Sequence, residues 1–402
     1  MDRRSFMRAA AASTGAAGLA GCLGDDEAST PEFGNEPDGP PRYDLPAYSE
    51  LTPAETHTGE GVVVAHLRLS ILGAVQQAHD AGRLPDEPVV TLPLSGVDPI
   101  VEAVETLSAY PFAVPLRRAI NDAASGDTRA GDGATNDTLV DSGETFGGNR
   151  TNTTAGNGTV ENTTAGNGTV ENTTTENGTV DDTTGESTPG WDETGIEVSD
   201  IALADGVLYL DGSYDRSIVD ARYTTEFQQV DELRGLAVYE NGSGLGFAVG
   251  ADLLVVPAET AGRAATPNSV LAHTLSGYTT TLDRIVDDDD GQWLFETTGP
   301  AAVSVGVWGA DDPLDRVADS IGMAPEATGP VFGAADAFVT ALEPTVDETG
   351  AVAGVETRFA GLFPETFPTA AELRASLTGG IDGARIHRNT PRAHLTASFS
   401  DI

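Results

Sequence analysis

The sequence predicts an α+β fold, with helices packed on a mainly antiparallel sheet and a long disordered insertion between the ordered parts. Alternating apolar runs separated by short Gly- and Asp-containing turns predict hairpins, and apolar residues at helical spacing predict amphipathic helices. A stretch near the middle carries too few apolar residues to fold. Because hairpins outnumber strand–helix–strand units, the sheet is expected to be antiparallel.

Residues 59–124 form the first ordered block, which we expect to be a small α/β segment. A β-branched run at 62–64 predicts a short strand, and apolar residues from Leu67 to Val75 at helical spacing predict a helix. A second helix is predicted with Asp98 as its cap, and a third from Pro115. The block is small for a core of its own.

Residues 191–402 are expected to form the main α+β domain, and the smaller block either folds alone or completes it. A hairpin is predicted first, because two alternating runs flank Ala204-Asp205-Gly206. The elements predicted after it are a helix from Asp215 to about Phe227, strands at 236–239, 246–249 and 253–256, a helix from Pro267 and a strand at 301–308.

The last hundred or so residues continue the same mixture of helices and strands. Thr369 and Glu372 have the spacing of a capping box, and the glycine pair at 379–380 is typical of a helix end. The elements predicted here are a helix from Asp312, a helix at 334–342, a strand at 352–359, a helix from Thr369 and a closing strand at 392–399.

The first 21 residues have the composition of an export signal. Arg3 and Arg4 precede Phe6, an Ala-rich apolar run of about a dozen residues follows, and Cys22 comes directly after Leu-Ala-Gly. A basic start, a short apolar middle and a small-residue cleavage region are typical of a signal peptide. The run is shorter than the ~20 residues that a membrane-spanning helix needs, so an uncleaved anchor is disfavoured.

The pair Arg3-Arg4 followed by Phe6 resembles a twin-arginine signal, and the residues ending at Cys22 resemble a lipoprotein box. This resemblance implies cleavage before Cys22, lipid attachment to its sulfur, and a protein held on the outer face of the cell membrane. Cys22 is the sole cysteine, and an unpaired exported thiol would otherwise be a liability. The alternative is an ordinary cleaved signal with an incidental cysteine.

The chain carries 63 acidic and 21 basic residues, a formal net charge of −42, and every basic residue is arginine. Such a charge destabilises a compact fold by self-repulsion, but molar salt shortens the Debye length to ~3 Å and screens it. With the leader, this composition resembles the exported lipoproteins of halophilic archaea, a resemblance that implies an address and no activity. The alternative is an acidic protein from a low-salt organism. Nucleic acid is not expected as a partner, because phosphate binding needs basic patches.

Two segments are expected to be disordered. Residues 22–58 are polar and Pro-rich, cannot bury enough apolar surface to fold, and are expected to be a tether. Residues 125–190 are rich in Asn, Thr and Gly and include three successive decapeptide repeats with one Val each. One apolar residue in ten cannot build the stacked core of a β-solenoid, so we expect a disordered spacer.

The spacer is dense in Asn-x-Ser/Thr sequons, which are N-glycan acceptors in an exported chain. Asn- and Thr-rich repeats also produce sequons by chance, so glycosylation is predicted for the segment and not for any one site. The candidates are Asn136, Asn149, Asn152, Asn157, Asn162, Asn167, Asn172 and Asn177, with Asn241 outside the spacer.

No metal or cofactor site is predicted. None of the six histidines forms His-x-x-x-His, and the trio closest to a metal site is His387, His394 and Asp382. Strand-edge or surface positions are the favoured interpretation of these histidines. The run of four aspartates at 287–290 lacks the EF-hand ligand spacing, so a solvated acidic turn is expected.

No catalytic residue is predicted either. Ser304 lies one residue from a Gly-x-Ser-x-Gly pattern, but it falls in the middle of a predicted strand and not at a turn into a helix. The glycines at 242–246 lead into a strand and lack a lysine, so a hairpin turn is favoured over a phosphate loop.

Function is therefore narrowed to three hypotheses. The first is a structural or interaction protein of the cell surface without enzymatic activity. The second is a solute-binding lipoprotein, although the long alternation of parallel strands and helices expected for two lobes is missing. The third is a surface hydrolase, which the lack of a nucleophile motif disfavours.

Overall fold

A twelve-stranded antiparallel sheet organises the part of the chain that the computed structural model describes, which is residues 39–56, 61–110, 112–125, 196–223, 225–258, 267–278, 282–321, 330–380, 383–400 and 402. The strands are β1 (Val62–Arg68), β2 (Ile196–Ala204), β3 (Val207–Tyr214), β4 (Gln228–Leu233), β5 (Leu236–Glu240), β6 (Gly246–Val249), β7 (Leu253–Pro257), β8 (Val303–Trp308), β9 (Ala337–Val346), β10 (Val352–Leu362), β11 (Arg385–Asn389) and β12 (Arg392–Ser400). Their order across the sheet is β11-β12-β10-β9-β8-β1-β2-β3-β7-β6-β5-β4.

Every neighbouring pair in this sheet is antiparallel. The helices are α1 (Leu72–Asp80), α2 (Pro88–Ser95), α3 (Val97–Thr106), α4 (Ala113–Ser125), α5 (Arg216–Tyr223), α6 (Pro267–Tyr278), α7 (Asp289–Thr298), α8 (Pro313–Ile321), α9 (Pro330–Ala334) and α10 (Ala370–Thr378). The predicted α+β class with a mainly antiparallel sheet is confirmed. No helix in the described ranges is long and apolar enough to cross a membrane.

β1 connects the first ordered block to the rest of the chain. Val64 pairs with Ala204 of β2 on one side and with Gly306 of β8 on the other. Residues 61–125 and 196–402 therefore contribute to one sheet. The predicted spacer lies outside the described residues, apart from Ser125, which is the last residue of α4.

Two apolar cores lie on opposite faces of the sheet. On β1, Ala65 and Leu67 pack into the first core, whereas Val62 and Val64 pack into the second, as the two-residue period of a strand requires. Helices α1 to α5 and α8 to α10 contribute to the first core. Leu67 is fully buried, which is worth about 2 kcal/mol relative to an exposed side chain.

The second core is covered by α6, α7 and residues 39–56. This last segment holds a 3₁₀ turn at Ala47–Glu50, in which Tyr48 is buried, and Leu51 is buried beside it. The backbone N–H of Tyr43 donates to Glu296 O at 2.7 Å, and that of Ala54 donates to Asp283 O at 2.8 Å. The tether predicted for 22–58 is therefore wrong over 39–56, because a few large apolar side chains in a polar segment are enough to bind it to a sheet.

Several predicted boundaries are confirmed by local geometry. The turn between β2 and β3 places Asp205 at φ 50° and Gly206 at φ 74°, the left-handed values that a tight hairpin requires. In α10, the Thr369 hydroxyl accepts from Glu372 N at 3.1 Å and the Glu372 carboxylate accepts from Thr369 N at 2.7 Å, which forms the predicted capping box. Strands β5, β6 and β7 also form the predicted meander.

The helix predicted at 334–342 is wrong, because residues 337–346 form β9. Ala337 to Leu342 is buried throughout, since β9 lies in the middle of a sheet that is covered on both faces. A continuous apolar run of this kind has no period that separates strand from helix. Leu67, predicted to begin a helix, belongs to β1 instead.

Other local predictions differ from the structure at helix ends and at the edges of the sheet. The N-cap of α3 is Gly96, which lacks a side-chain cap, and Asp98 lies in the first turn. Asp215 does cap α5 by accepting from Ser217 N at 2.9 Å, but the helix ends at Tyr223. The sequence pattern does not predict α2, β4 or β11. The two strands are mostly exposed, so they lack the apolar alternation of a half-buried strand.

Candidate functional site

A group of polar side chains lies on the face of the sheet that carries the second core, at one end of the central strands. We call it the His66 cluster, and its members are Tyr48, His66, Arg68, Asp200, Ser304 and Glu343. Strand register places His66 directly opposite Ser304 of β8, and Arg68 directly opposite Asp200 of β2. These positions share the face of Val62 and Val64, so the polar cluster continues the row that begins in the second core.

Ion pairs connect three strands within the cluster, β1, β2 and β9. His66 Nε2 lies 3.3 Å from Asp200 Oδ1, and Arg68 Nε lies 3.7 Å from the same oxygen. Arg68 Nη1 donates to Glu343 Oε1 at 2.9 Å, and the other oxygen of Glu343 accepts from Ala302 N at 2.8 Å. The cluster therefore joins β1, β2 and β9 to the residue that precedes β8.

Tyr48 brings residues 39–56 into the same cluster. Its ring stacks on the His66 imidazole with centroids 5.0 Å apart, and its hydroxyl lies 3.2 Å from Ser304 Oγ. The Tyr48 ring also meets Phe295 of α7 edge-on at 6.1 Å. One side chain thus contacts a strand pair and a helix at once.

Burial and local charge set the protonation of these groups. Burial opposes ionisation of Asp200, but the hydrogen bond from His66 and the charges of His66 and Arg68 outweigh it and lower the pKa of this carboxyl. Burial raises the pKa of Tyr48 to about 12. Across the strand pair, burial and the charges of Asp200 and Asp252 raise the pKa of Asp211.

Ser304, His66 and Asp200 are the residue types of a hydrolytic triad, but their arrangement differs from one. In a triad, one imidazole nitrogen contacts the carboxylate and the other takes the serine proton. Here His66 Nε2 contacts Asp200, while His66 Nδ1 is buried and has no hydrogen-bond partner among the described residues. Ser304 is instead hydrogen-bonded to the Tyr48 hydroxyl, and it is only 3% exposed. The contacts of His66 and Ser304 thus differ from those of a triad.

Ser304 lies within β8, as its second residue, and not at a turn into a helix, as the sequence predicts. The rest of the cluster was not predicted. The available signal was that His66 and Arg68 follow Val62 and Val64 at two-residue spacing, which places polar side chains on an otherwise buried face of β1. Their partners are far away in the chain and could not be read from this spacing.

The histidines of the C-terminal hairpin form a pair. His387 of β11 lies directly opposite His394 of β12, and their rings stack at 5.9 Å. Burial, followed by the charges of His387 and Arg358, lowers the pKa of His394 to about 3. The third residue of the predicted trio, Asp382, lies outside the described residues. Within the described ranges, no three His, Cys, Asp or Glu side chains come together as a metal site requires.

The aspartates at 287–290 form the start of α7. Asp288 caps the helix by accepting from Asp290 N at 2.8 Å, and Asp287 pairs with Arg284 at 2.6 Å. Asp290 pairs with Arg392 of β12, also at 2.6 Å. Asp287, Asp288 and Asp289 are exposed, as predicted for a solvated segment, but the segment begins a helix, and two arginines pair with its carboxylates.

Asn241 lies in the turn between β5 and β6. Its Oδ1 accepts from Ser243 N at 3.0 Å and from Leu245 N at 2.9 Å, so the glycines at 242–246 form the predicted hairpin turn. Glycosylation of Asn241 stays a prediction. The other predicted site residues lie outside the described ranges: Arg3, Arg4, Phe6, Cys22, Asn136, Asn149, Asn152, Asn157, Asn162, Asn167, Asn172 and Asn177.

Comparison with known proteins gives few relationships. No protein-family model matches the chain, and no curated protein matches it. A solved structure described as crystal form I of TP0453 is similar with a TM-score of 0.34 and 7% identity, over 89% of this chain and 94% of that chain. Crystal form IV of TP0453 gives a TM-score of 0.30 and 10% identity, over 51% of this chain and 75% of that chain. These values are too low for the likeness to indicate a shared fold or function.

Proposed function

We propose that the chain is a lipid-anchored protein of a halophile, exported by the twin-arginine route and held on the outer face of the cell membrane through Cys22. Its folded body acts as a structural or interaction module and not as an enzyme. The leader residues Arg3, Arg4, Phe6 and Cys22 support the anchor. The observation that carries the structural role is that His66 and Ser304 of the His66 cluster contact Tyr48 and so bind residues 39–56 to the sheet.

Residues 39–56 are the described segment nearest to Cys22 in the sequence. They are fixed to the body at several points along their length, by Tyr43 on α7, by Tyr48 on the His66 cluster and by Ala54 on Asp283. From Cys22 to Gly39 is 17 residues, a reach of at most about 60 Å when extended. A segment attached this firmly transmits a load on the anchor to the central strands of the sheet.

The composition supports the proposed environment. The formal net charge of −42 is carried by a chain whose cations are all arginine, and arginine forms the ion pairs of the His66 cluster and of the start of α7. Guanidinium groups remain charged at every ordinary pH and bind carboxylates in a planar, directional geometry. The solute-binding alternative predicts two lobes around a cleft, whereas the described strands form one continuous sheet.

Cell fractionation tests the anchor. The Cys22→Ser protein is expected to appear in the medium or as an unprocessed precursor, whereas wild type stays in the membrane fraction with its leader removed. Ser29→Ala, seven residues further on, is the matched control and should behave as wild type. Processed Cys22→Ser protein that stays in the membrane fraction would refute the anchor. Arg3→Lys with Arg4→Lys should block export, because the twin-arginine route requires the pair.

A further inference from the structure

The two edges of the sheet carry opposite charge. The edge strands are β4 and β11, and both are exposed along most of their length. One side of an edge strand pairs with its neighbour, and the other presents unpaired backbone N–H and C=O groups. Among the described residues no further strand pairs with either one.

The β11 edge is basic in an overwhelmingly acidic chain. Strands β11 and β12 together hold three arginines, two histidines and no acidic residue, although Asp382 lies three residues before β11 and Arg392 is paired with Asp290. Arg385 and Arg388 are exposed on β11 itself. Arg385 forms no ion pair with a described residue, and the Arg388 guanidinium lies over the Phe367 ring, 4.6 Å from its centroid.

The β4 edge is acidic. Asp231 and Glu232 are exposed on the strand and Glu226 is exposed just before it, whereas Arg234, just after the strand, is the one exposed cation of residues 225–235. Glu232 pairs with Arg216 at 3.1 Å, but both side chains are substantially exposed, so this pair is readily exchanged. Val230, which a bulge excludes from pairing with β5, is 54% exposed and is among the most exposed large apolar residues described.

Charges on edge strands normally prevent sheets from pairing with one another. Two copies of one chain repel each other edge to edge only if both edge strands carry charge of the same sign. A chain with 63 acidic residues could carry acidic residues on both edge strands. Instead the acidic edge would meet a basic edge on the next copy. Opposite charges directly across a strand pair stabilise it by up to about 1 kcal/mol, whereas like charges destabilise it.

We propose that copies of this chain associate head to tail, with β4 of one copy pairing with β11 of the next. The sheet then continues from copy to copy, and Val230 is covered at the junction. The proposal specifies the partner for the interaction module proposed above, and it does not depend on the lipid anchor.

Two physical consequences follow from this geometry. A head-to-tail contact does not use the same surface twice, so it produces rings or open filaments and not simple dimers. Each copy adds about 58 Å at roughly 4.8 Å per strand. Molar salt weakens the ion pairs but not the backbone hydrogen bonds, so pairing is expected to weaken with salt without vanishing.

Charge reversal provides the test. The full-length chain with Cys22→Ser, which cannot carry a lipid, serves as the parent protein. An acidic variant adds Arg385→Glu and Arg388→Glu, so that both edges become acidic, and a basic variant adds Asp231→Arg and Glu232→Arg, so that both edges become basic. A control carries Arg83→Glu and Arg118→Glu, which change the net charge as the acidic variant does but lie outside both edge strands.

Sedimentation velocity over a concentration series, at one fixed salt concentration, measures association. We expect the parent and the control to associate, and each edge variant alone to associate at least about tenfold more weakly. Mixing the acidic and basic variants should restore association, because each offers the edge that the other lacks. Circular dichroism and thermal unfolding verify that each variant folds.

The mixing experiment keeps the proposal testable when single variants are destabilised, since misfolded proteins would not recover association on mixing. A monomeric parent at every concentration would overturn the proposal. So would edge variants that associate as strongly as the parent, or a control that loses association with them. Membrane retention of wild type is measured separately, so failure of edge pairing and failure of the anchor give different results.

Discussion

The Tyr48 ring stacks on the His66 imidazole at an interplanar angle of 27°, and the Tyr48 hydroxyl contacts Ser304, 256 positions away in the chain. This relationship attaches residues 39–56 to the middle of the sheet. It also occupies the hydroxyl of Ser304, the serine whose flanking residues come close to a nucleophile motif. This contact is the physical basis of the structural role proposed for Tyr48, His66 and Ser304.

Tyr48→Phe should lower the free energy of unfolding by about 1 kcal/mol, because it removes the bond to Ser304 and keeps the ring. Tyr48→Ala should cost about 3–5 kcal/mol and release residues 39–56, since it leaves a cavity beside His66. Denaturant unfolding and limited proteolysis measure the two effects. Val114→Ala is the control, because Val114 is 71% exposed. Equal stability of Tyr48→Ala and the control would contradict this role.

Asp200→Asn should lower stability at neutral pH by about 1–3 kcal/mol, because Arg68 and His66 lose their shared carboxylate. The pKa of Asp200 is lowered in the fold, so its stabilising charge is fully present above the unfolded pKa near 3.8. That contribution is lost as the pH falls through the lower folded pKa. The difference between wild type and Asp200→Asn should therefore be constant above about pH 5 and shrink below pH 4. A difference that persists unchanged at pH 2 would count against the pairing.

His394 should destabilise the fold in acid. Its folded pKa is lowered to about 3, from an unfolded value near 6.5, so the unfolded chain binds a proton that the folded chain excludes. Well above pH 6.5, His394 does not change the free energy of unfolding. Between pH 6.5 and 3, its exclusion of a proton lowers the free energy of unfolding by up to roughly 1.4 kcal/mol per pH unit. His394→Gln should flatten this part of the stability–pH curve. His79→Gln, at a partly exposed side chain, is the control and should keep the slope. An identical slope in His394→Gln and wild type would contradict the prediction.

Gly212→Ala should cost at least about 1–3 kcal/mol of stability. A Cβ at Gly212 would lie 1.8 Å from the Glu197 carbonyl oxygen, and only separation of β2 and β3 would relieve that clash. Gly242 is the matched control, because a Cβ there has no atom within 4 Å. Thermal unfolding of Gly212→Ala and Gly242→Ala gives the comparison. A larger loss for Gly242→Ala would be inconsistent with the described register.

Stability should increase with salt. The net charge of −42 repels itself in dilute buffer, and raising the salt to about 1 M reduces the Debye length to about 3 Å. The unfolding midpoint should therefore rise steeply from 0.1 M to about 1 M sodium chloride and level off beyond. A midpoint that does not change with salt would remove the argument for a brine environment.

Local sequence signals predicted the elements that local physics controls. The Asp205-Gly206 turn, the Thr369–Glu372 capping box and the β5–β7 meander each depend on residues within a few positions of one another. The same signals failed where burial on both faces erased the period, as in β9, and where a strand was exposed on both faces, as in β4 and β11.

The sequence by itself determined the α+β class and the antiparallel sheet, since alternation, caps and turns are properties of short stretches of chain. Only the tertiary structure decided that residues 39–56 belong to the body, that His66, Asp200 and Ser304 meet, and that a basic strand and an acidic strand form the two edges. These are contacts between residues up to hundreds of positions apart. They arise from which surfaces pack together, and no periodicity along the chain encodes that choice.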